Sequence, residues 1–298
     1  MHFLNLIIIY FTLFITAILV GIVGNAIGIG GGILLVPFFI FYMHLSPLES
    51  SGLSLFTIMI STAGGSYIFY KDRAIDRHLF IMVSIPALLG IIAGSVLSNY
   101  IPANQFKWIF SIIVIGIGIF SLIATKKQAA VKINYCDKQG EEALKNNEID
   151  SRSYFRGHIR KKLKETNGTA YDYEIKSPVA INIFSLIAGF ISGFMGIGIG
   201  GITGTFLTAV EQIPPRIAFS TIISIMAIIS LIGGLIHFYY VKNPFNLAVY
   251  IIPLGVGALI GSKAGAYISK NSAAKTLRIY QGSFIILLGI LMLTVLIV

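Results

Sequence analysis

Gly24-Asn-Ala-Ile-Gly-Ile-Gly-Gly-Gly32 interrupts an apolar stretch, Phe3 to Met43, that is too long to be one membrane-crossing helix. Glycine occupies positions 28, 30, 31 and 32. Each costs about 1 kcal/mol against alanine inside a helix, so the run favours a break or a tight reversal. Two arms around a glycine turn are expected. Gly193-Phe-Met-Gly-Ile-Gly-Ile-Gly-Gly201 repeats the pattern in the second half of the chain.

The rest of the sequence fits a chain whose solvent is lipid. Of 298 residues 56% are apolar and 11% charged, and the mean hydropathy is +0.86, a balance that excludes a water-soluble globule of this size. After the first break come apolar spans near Leu53 to Tyr70, Leu79 to Leu97 and Trp108 to Ala124. None alternates in the way a transmembrane barrel strand must, so the spans are helices. The formal charge of +10 sits in links between apolar runs, not on an aromatic-laced basic face, so membrane topology accounts for it and no nucleic-acid partner is expected.

Thr125 to Ser177 is different material. It holds 12 of the 22 Lys and Arg and 8 of the 12 Asp and Glu, and reads as a hydrophilic insert between membrane repeat one, 1–124, and membrane repeat two, 178–298. Within it, Tyr154 to Glu165 is expected to be a solvated linker, with a basic helix on anionic headgroups as the alternative. Asn167-Gly-Thr169 matches a glycosylation acceptor but lacks a secretory context.

The second half replays the first in order. Pro47 answers to Pro215, Gly64-Gly65 to Gly233-Gly234, and Pro86, Gly90, Gly94, Ser95 and Tyr100 to Pro253, Gly257, Gly261, Ser262 and Tyr267, at offsets of 168, 169 and 167 residues. A collinear series with single-residue slips points to duplication. If each glycine cluster reverses the chain, all of the 22 basic residues except Lys107 and Lys242 fall on the side of the insert. Without reversals the positive-inside rule is violated. The expected fold is therefore all-α and polytopic: two inverted repeats, each with a glycine-broken first helix, giving about eight full spans or ten segments when hairpin arms are counted. The insert is expected in the cytoplasm and both termini outside.

Paired broken helices in inverted halves are the sequence signature of a midplane site in a secondary transporter. Gly28, Gly30, Gly31 and Gly32 in one half and Gly196, Gly198, Gly200 and Gly201 in the other form the expected substrate site, where helix N-termini favour an anion. Ser51 and Ser54, with Ser220 and Thr221, are the candidate hydroxyl donors. Pro47, Pro215, Gly64, Gly65, Gly233 and Gly234 are expected to serve gating or packing. No acid lies within a span. Glu49, Asp72, Asp76 and Glu211 sit at links, and Glu211 and His237 are the candidates for coupling at a gate. Arg216 and Lys263 are placed either to draw an anion toward a vestibule or to anchor the positive side. His2, His44, His78, His158 and His237 show no ligand spacing, and no HExxH, GxSxG or Walker pattern occurs, so neither an enzyme nor a metal or other cofactor is expected.

The GxGGG at Gly28 to Gly32, its echo GIGIGG at Gly196 to Gly201, and Pro47 and Pro215 resemble the sulfite exporter TauE/SafE family, across both halves. The resemblance implies a permease of the bacterial inner membrane that exports small sulfur-containing anions or organosulfonates. The long insert departs from the shorter linkers expected of the family. Related thiosulfate carriers resemble proteins that pass substrate along membrane cysteines, whereas the single cysteine here, Cys136, lies in the insert. The expected partners are a small anion and membrane lipids, with homo-oligomerisation left open. An anion channel, or a scaffold or biogenesis factor acting through the insert, are the alternatives.

Overall fold

A computed structural model describes residues 2–128, 159–271 and 283–294, apart from 29, 167, 284 and 291. Cys136, Lys275, Arg278 and most of the insert lie outside the described residues. The first half forms α1 (His2–Ile27), α2 (Gly32–Phe41), α3 (Pro47–Lys71), α4 (Arg77–Ser98) and α5 (Ala103–Gln128). Strands β1 (Ile159–Lys164) and β2 (Ala170–Ile175) follow. The second half forms α6 (Pro178–Met195), α7 (Gly200–Ala209), α8 (Pro215–Tyr240), α9 (Pro244–Asn271) and α10 (Ile285–Thr294). Seven of these helices are long and apolar enough to cross a membrane; α2, α7 and α10 are shorter. The chain is a multi-pass, helical membrane protein with ten helical segments among the described residues.

Local chemistry starts the helices. Pro47, Pro178, Pro215 and Pro244 each stand first, where a missing N–H costs nothing. Ser46 and Glu49 close a reciprocal capping box on α3. The Asp76 carboxylate accepts from the N–H groups of His78 and Leu79 at 2.7 and 3.2 Å to cap α4.

Glycine then sets which helices touch. Along α9, a β-carbon at Gly257, Gly261 or Gly265 would stand 2.2 to 2.4 Å from the carbonyl oxygens of Phe14, Ile18 and Ile22, so α1 and α9 run parallel in backbone contact. Gly90 and Gly94 of α4 meet Leu186 and Phe190 of α6 in the same way, also in parallel. The central pair α3 and α8 is antiparallel: Gly52 lies on His237 and Phe238, Ser66 Oγ donates to Ser224 Oγ at 2.8 Å, and Asp72 pairs with Arg216. The first helix of each half thus packs on the fourth helix of the other.

The apolar residues divide accordingly. One cluster runs through α4, α5, α6, α7 and α8 and takes in Ile33, Val36 and Ile40 of α2 and Leu55 and Ile58 of α3. A smaller one joins Leu13, Ala17 and Val20 of α1 with Leu35 and Phe39 of α2 and Leu254 and Ala258 of α9. Tyr10 of α1 and Phe38 of α2 both pack against that second cluster, so α2 turns back along α1. Phe206 of α7 stacks on Phe184 of α6 with ring centroids 4.1 Å apart, so α7 turns back likewise.

The insert brings a correction. Neither the linker nor the basic helix expected over Tyr154 to Glu165 is what its described part forms. Ile159–Lys164 is a strand, paired antiparallel with Ala170–Ile175 from Ile159 opposite Ile175 to Lys164 opposite Ala170. Alternation is the reason: Ile159, Lys161 and Leu163 face inward and Arg160, Lys162 and Lys164 outward, a period of two that a helix cannot use. The Asn-Gly pair at 167–168 is the turn signal that goes with it, and Gly168 has φ +89.

This hairpin sits at the end of the bundle that holds the α3–α4 turn and the start of α8. Thr166 N–H donates to the Asp72 carbonyl at 3.0 Å, and Arg216 bridges Asp72 at 2.6 Å and Glu165 at 3.1 Å while lying over the Phe69 ring. Tyr173 OH donates to Asp76, which Lys161 also approaches at 3.4 Å. Burial, and then the Asp76 charge, push the Tyr173 phenol above its ordinary pKa. The Glu211 carboxylate accepts from the N–H groups of Lys176 and Ser177 at 2.9 and 3.1 Å, tying the α7–α8 turn to the entry of α6. Lys71, Arg73, Arg77, the hairpin and Arg216 therefore share one end. Lys107 lies over the Phe41 ring at the other.

Candidate functional site: two helix breaks in contact

Both breaks are made by left-handed backbone. Gly28, Gly30 and Gly31 have φ of +78, +84 and +83, and Gly196 and Gly198 have +73 and +79. A side chain in that region costs of order 1–3 kcal/mol, which is why the sequence spends glycine there. Gly196 N–H closes α6 on the Ser192 carbonyl at 2.7 Å, and Gly30 N–H reaches back to Gly24 at 3.2 Å. Helices α2 and α7 then start inside the bundle.

The two breaks touch reciprocally. A β-carbon on Gly32, first residue of α2, would stand 2.6 Å from the Gly196 carbonyl oxygen. One on Gly200, first residue of α7, would stand 2.1 Å from the Gly28 carbonyl oxygen. Each half-helix N-terminus, carrying about half a positive charge, is thus set against a carbonyl of the opposite break. The predicted glycines of both halves are brought to one place, and all of them are buried.

What surrounds that place differs between the halves. At the second break, Ser54 Oγ donates to the Gly196 carbonyl at 2.6 Å, and Ser51 lies directly against Gly196. Ser50 and Ser51 are fully buried, and their hydroxyls have no hydrogen-bond partner among the described residues. The same holds for Ser192, one turn before the break, and Thr203, in the first turn of α7. At the first break the neighbours are apolar. The Phe219 ring lies between Gly28 and Gly204, the Met226 methyl covers Gly30, and Val20 covers Gly31.

The remaining candidates sit apart from the junction. Ser220 Oγ donates to the Arg216 carbonyl of its own helix at 2.6 Å. Thr221 Oγ1 accepts from the Asp76 N–H at 3.1 Å, at the hairpin end. Gly64 packs on Ser262, Gly65 on Asn25, Gly233 on Ile91 and Gly234 on Phe56. Pro47 and Pro215 open α3 and α8. Arg216 is engaged by the hairpin and Glu211 by the backbone at the entry of α6, as described. His237 is fully buried on α8, with Nε2 2.8 Å from the Gly193 carbonyl. A carbonyl only accepts, so Nε2 carries the proton and Nδ1 is left as an acceptor without a partner among the described residues.

Sequence reasoning passed over Asn25. It is buried in α1 a turn before the first break, donates from Nδ2 to Ser61 Oγ at 2.7 Å and to the Gly21 carbonyl at 3.1 Å, and presents an unpartnered Oδ1 toward Gly65. A lone amide in an otherwise apolar span was the available signal. Among the described residues no three His, Cys, Asp or Glu side chains lie close enough to hold a metal ion.

The sequence model of the family described as Sulfite exporter TauE/SafE matches residues 13–292. Probable membrane transporter protein YunE of Bacillus subtilis (strain 168) is 26% identical over 284 residues, covering 93% of this chain and 94% of its own length. Probable membrane transporter protein MJ0441 of Methanocaldococcus jannaschii is 26% identical over 294 residues, covering 94% of each. No solved structure matches the chain.

Proposed function

The chain belongs to the sulfite exporter TauE/SafE family, and from that premise we propose that it is a secondary transporter exporting a small anion, such as sulfite or an organosulfonate, across the bacterial inner membrane. In this reading 1–124 and 178–298 are inverted membrane repeats, 125–177 is a cytoplasmic insert, and both termini lie outside. Antiparallel packing of α3 on α8 and the gathering of Lys71, Arg73, Arg77 and Arg216 beside the hairpin support that orientation.

The observation that carries the proposal is the contact of the two breaks. Two helix N-termini converge there, with buried, unpartnered hydroxyls on Ser50, Ser51, Ser192 and Thr203 near the second. Hydroxyls and backbone N–H groups donate to an oxyanion without a fixed cation, so the anion is held but released readily. In the present conformation Phe219, Met226 and Ile58 fill the space over the glycines. Access to either face then requires helices to move. The bodies that move are not the halves of the sequence: α1 goes with α9 and α6 with α4, because each of those pairs is joined by backbone contact, while α2 divides its buried side chains between the two apolar clusters.

The test is anion flux into and out of proteoliposomes for the wild type, Gly31→Leu and Gly200→Leu. Saturable flux of one anion that both substitutions stop, in protein that remains monodisperse, is the expected result. Ohmic current through a reconstituted bilayer would make the protein a channel, and wild-type flux in both leucine variants would remove the site.

A further inference from the structure

We propose that the groove between α4, α6 and β1 is a binding site for a single anionic phospholipid. Its wall on α4 is His78, Ile81, Met82, Ile85, Pro86 and Leu89, and it is completed by Pro178 and Asn182 of α6 and by Ile159 of the hairpin. Ile81, Ile85 and Leu89 are each about three-fifths exposed. They are spaced four residues apart, so they form one stripe along the helix. From His78 to Leu89 that wall rises about 16 Å at 1.5 Å per residue, close to half of a hydrocarbon core about 30 Å thick. It offers the length that one acyl chain fills in one leaflet.

The groove is polar only at the end nearest the hairpin. His78 and Asn182 stand there, and Arg77 continues the Ile81–Ile85–Leu89 stripe by one more step of four residues. Arg77 is exposed and makes no ion pair among the described residues. Arg216 and Lys161, by contrast, are committed to carboxylates. A free guanidinium directly above an apolar track, with amide and imidazole groups beside it, matches a phosphate ester attached to its glycerol and acyl chain. A zwitterionic lipid brings a cation to the same place, where Arg77 repels it. Because Ile159 forms part of the groove, the bound lipid joins the hairpin to α4 and α6. This site lies apart from the glycine breaks and does not depend on what is transported.

The experiment uses the full chain purified in detergent, with phosphatidylglycerol or phosphatidylcholine added. Native mass spectrometry counts retained lipid, and thermal unfolding gives the half-saturating concentration. One phosphatidylglycerol is expected to be retained in preference to phosphatidylcholine. Arg77→Gln should raise its half-saturating concentration about fivefold, the factor one basic residue contributes near an anionic surface. Leu89→Trp, which fills the track, should abolish retention, and Arg73→Gln, an exposed cation off the stripe, should change nothing. Equal retention of both lipids, equal weakening by Arg73→Gln and Arg77→Gln, or unaltered binding to Leu89→Trp would each overturn the proposal. So would disulfide capture of two copies through Ile85→Cys in a Cys136→Ser background, since a second chain would then occupy the groove.

Discussion

The two glycine breaks share glycine positions and a half-helix length but not a lining. Gly28 and Gly196, Gly30 and Gly198, and the helix starts Gly32 and Gly200 are all 168 residues apart; the first two pairs are left-handed at both breaks, but the residue before the ten-residue half-helix is left-handed Gly31 (φ +83) in one and right-handed Ile199 (φ -80) in the other. Around the first, the nearest atoms are the ends of Phe219, Met226 and Val20. Around the second they are the Ser51 backbone and the Ser54 hydroxyl. Matched glycine positions therefore supply two helix ends to one place, while one side is plugged by apolar side chains and the other is rich in hydrogen-bond donors.

Substitution at equivalent glycines should expose this difference most strongly. Gly196→Ala must displace Ser51 backbone as well as bear the left-handed strain, and is expected to destabilise by more than about 3 kcal/mol, read as thermal unfolding in detergent. A Ser51→Ala background should give no relief. Gly30→Ala meets only the mobile end of Met226, so its cost should shrink in a Met226→Ala background. Equal coupling at both breaks would erase the distinction.

Removing the hydroxyl that binds the second break comes next. Ser54→Ala leaves the Gly196 carbonyl without its side-chain donor and should cost about 1–3 kcal/mol, measured in the same way. For transport, Ser51→Ala and Thr203→Val are expected to raise the KM for the anion about tenfold, the scale of one hydrogen bond to a charged group. Ser220→Ala should leave it unchanged, because that hydroxyl is spent on its own helix. If Ser220→Ala has the larger effect, the anion is held along α8 and away from the junction instead.

The smallest effect concerns the bundle ends. The α3–α4 turn is covered by the hairpin, whereas the equivalent turn at 241–243 has no such cover among the described residues. Docked Tyr173 titrates above its ordinary value because it is buried beside Asp76. A free tyrosine ionises near about pH 10. Above that pH the undocked state sheds its proton first, so docking weakens as pH rises and is untouched below it. Hydrogen exchange of the β1 and β2 amides should accelerate above about pH 10, and Tyr173→Phe should remove that step.

Much of this was legible in the sequence. Hydropathy gave the spans and the spacing of glycine gave the breaks, because glycine frees the backbone wherever it occurs, whereas Pro47 and Pro215, expected to serve gating or packing, open α3 and α8. The hairpin was missed since period two in IRKKLK was outweighed by its charge, although alternation and the Asn-Gly pair were there to read. Asn25 was passed over as part of the glycine run that contains it.

Sequence by itself determined that the chain lives in lipid, where it breaks and which positions repeat, since these are properties of short segments and of the solvent they require. Only the tertiary structure decided that α1 packs on α9 and α6 on α4, that the two breaks meet through Gly32 and Gly200, and that Ser54, Ser220 and Thr221 have three different tasks. Those outcomes depend on which backbones approach closely enough to exclude a β-carbon. That is a relation between residues far apart in the chain, and no local pattern encodes it.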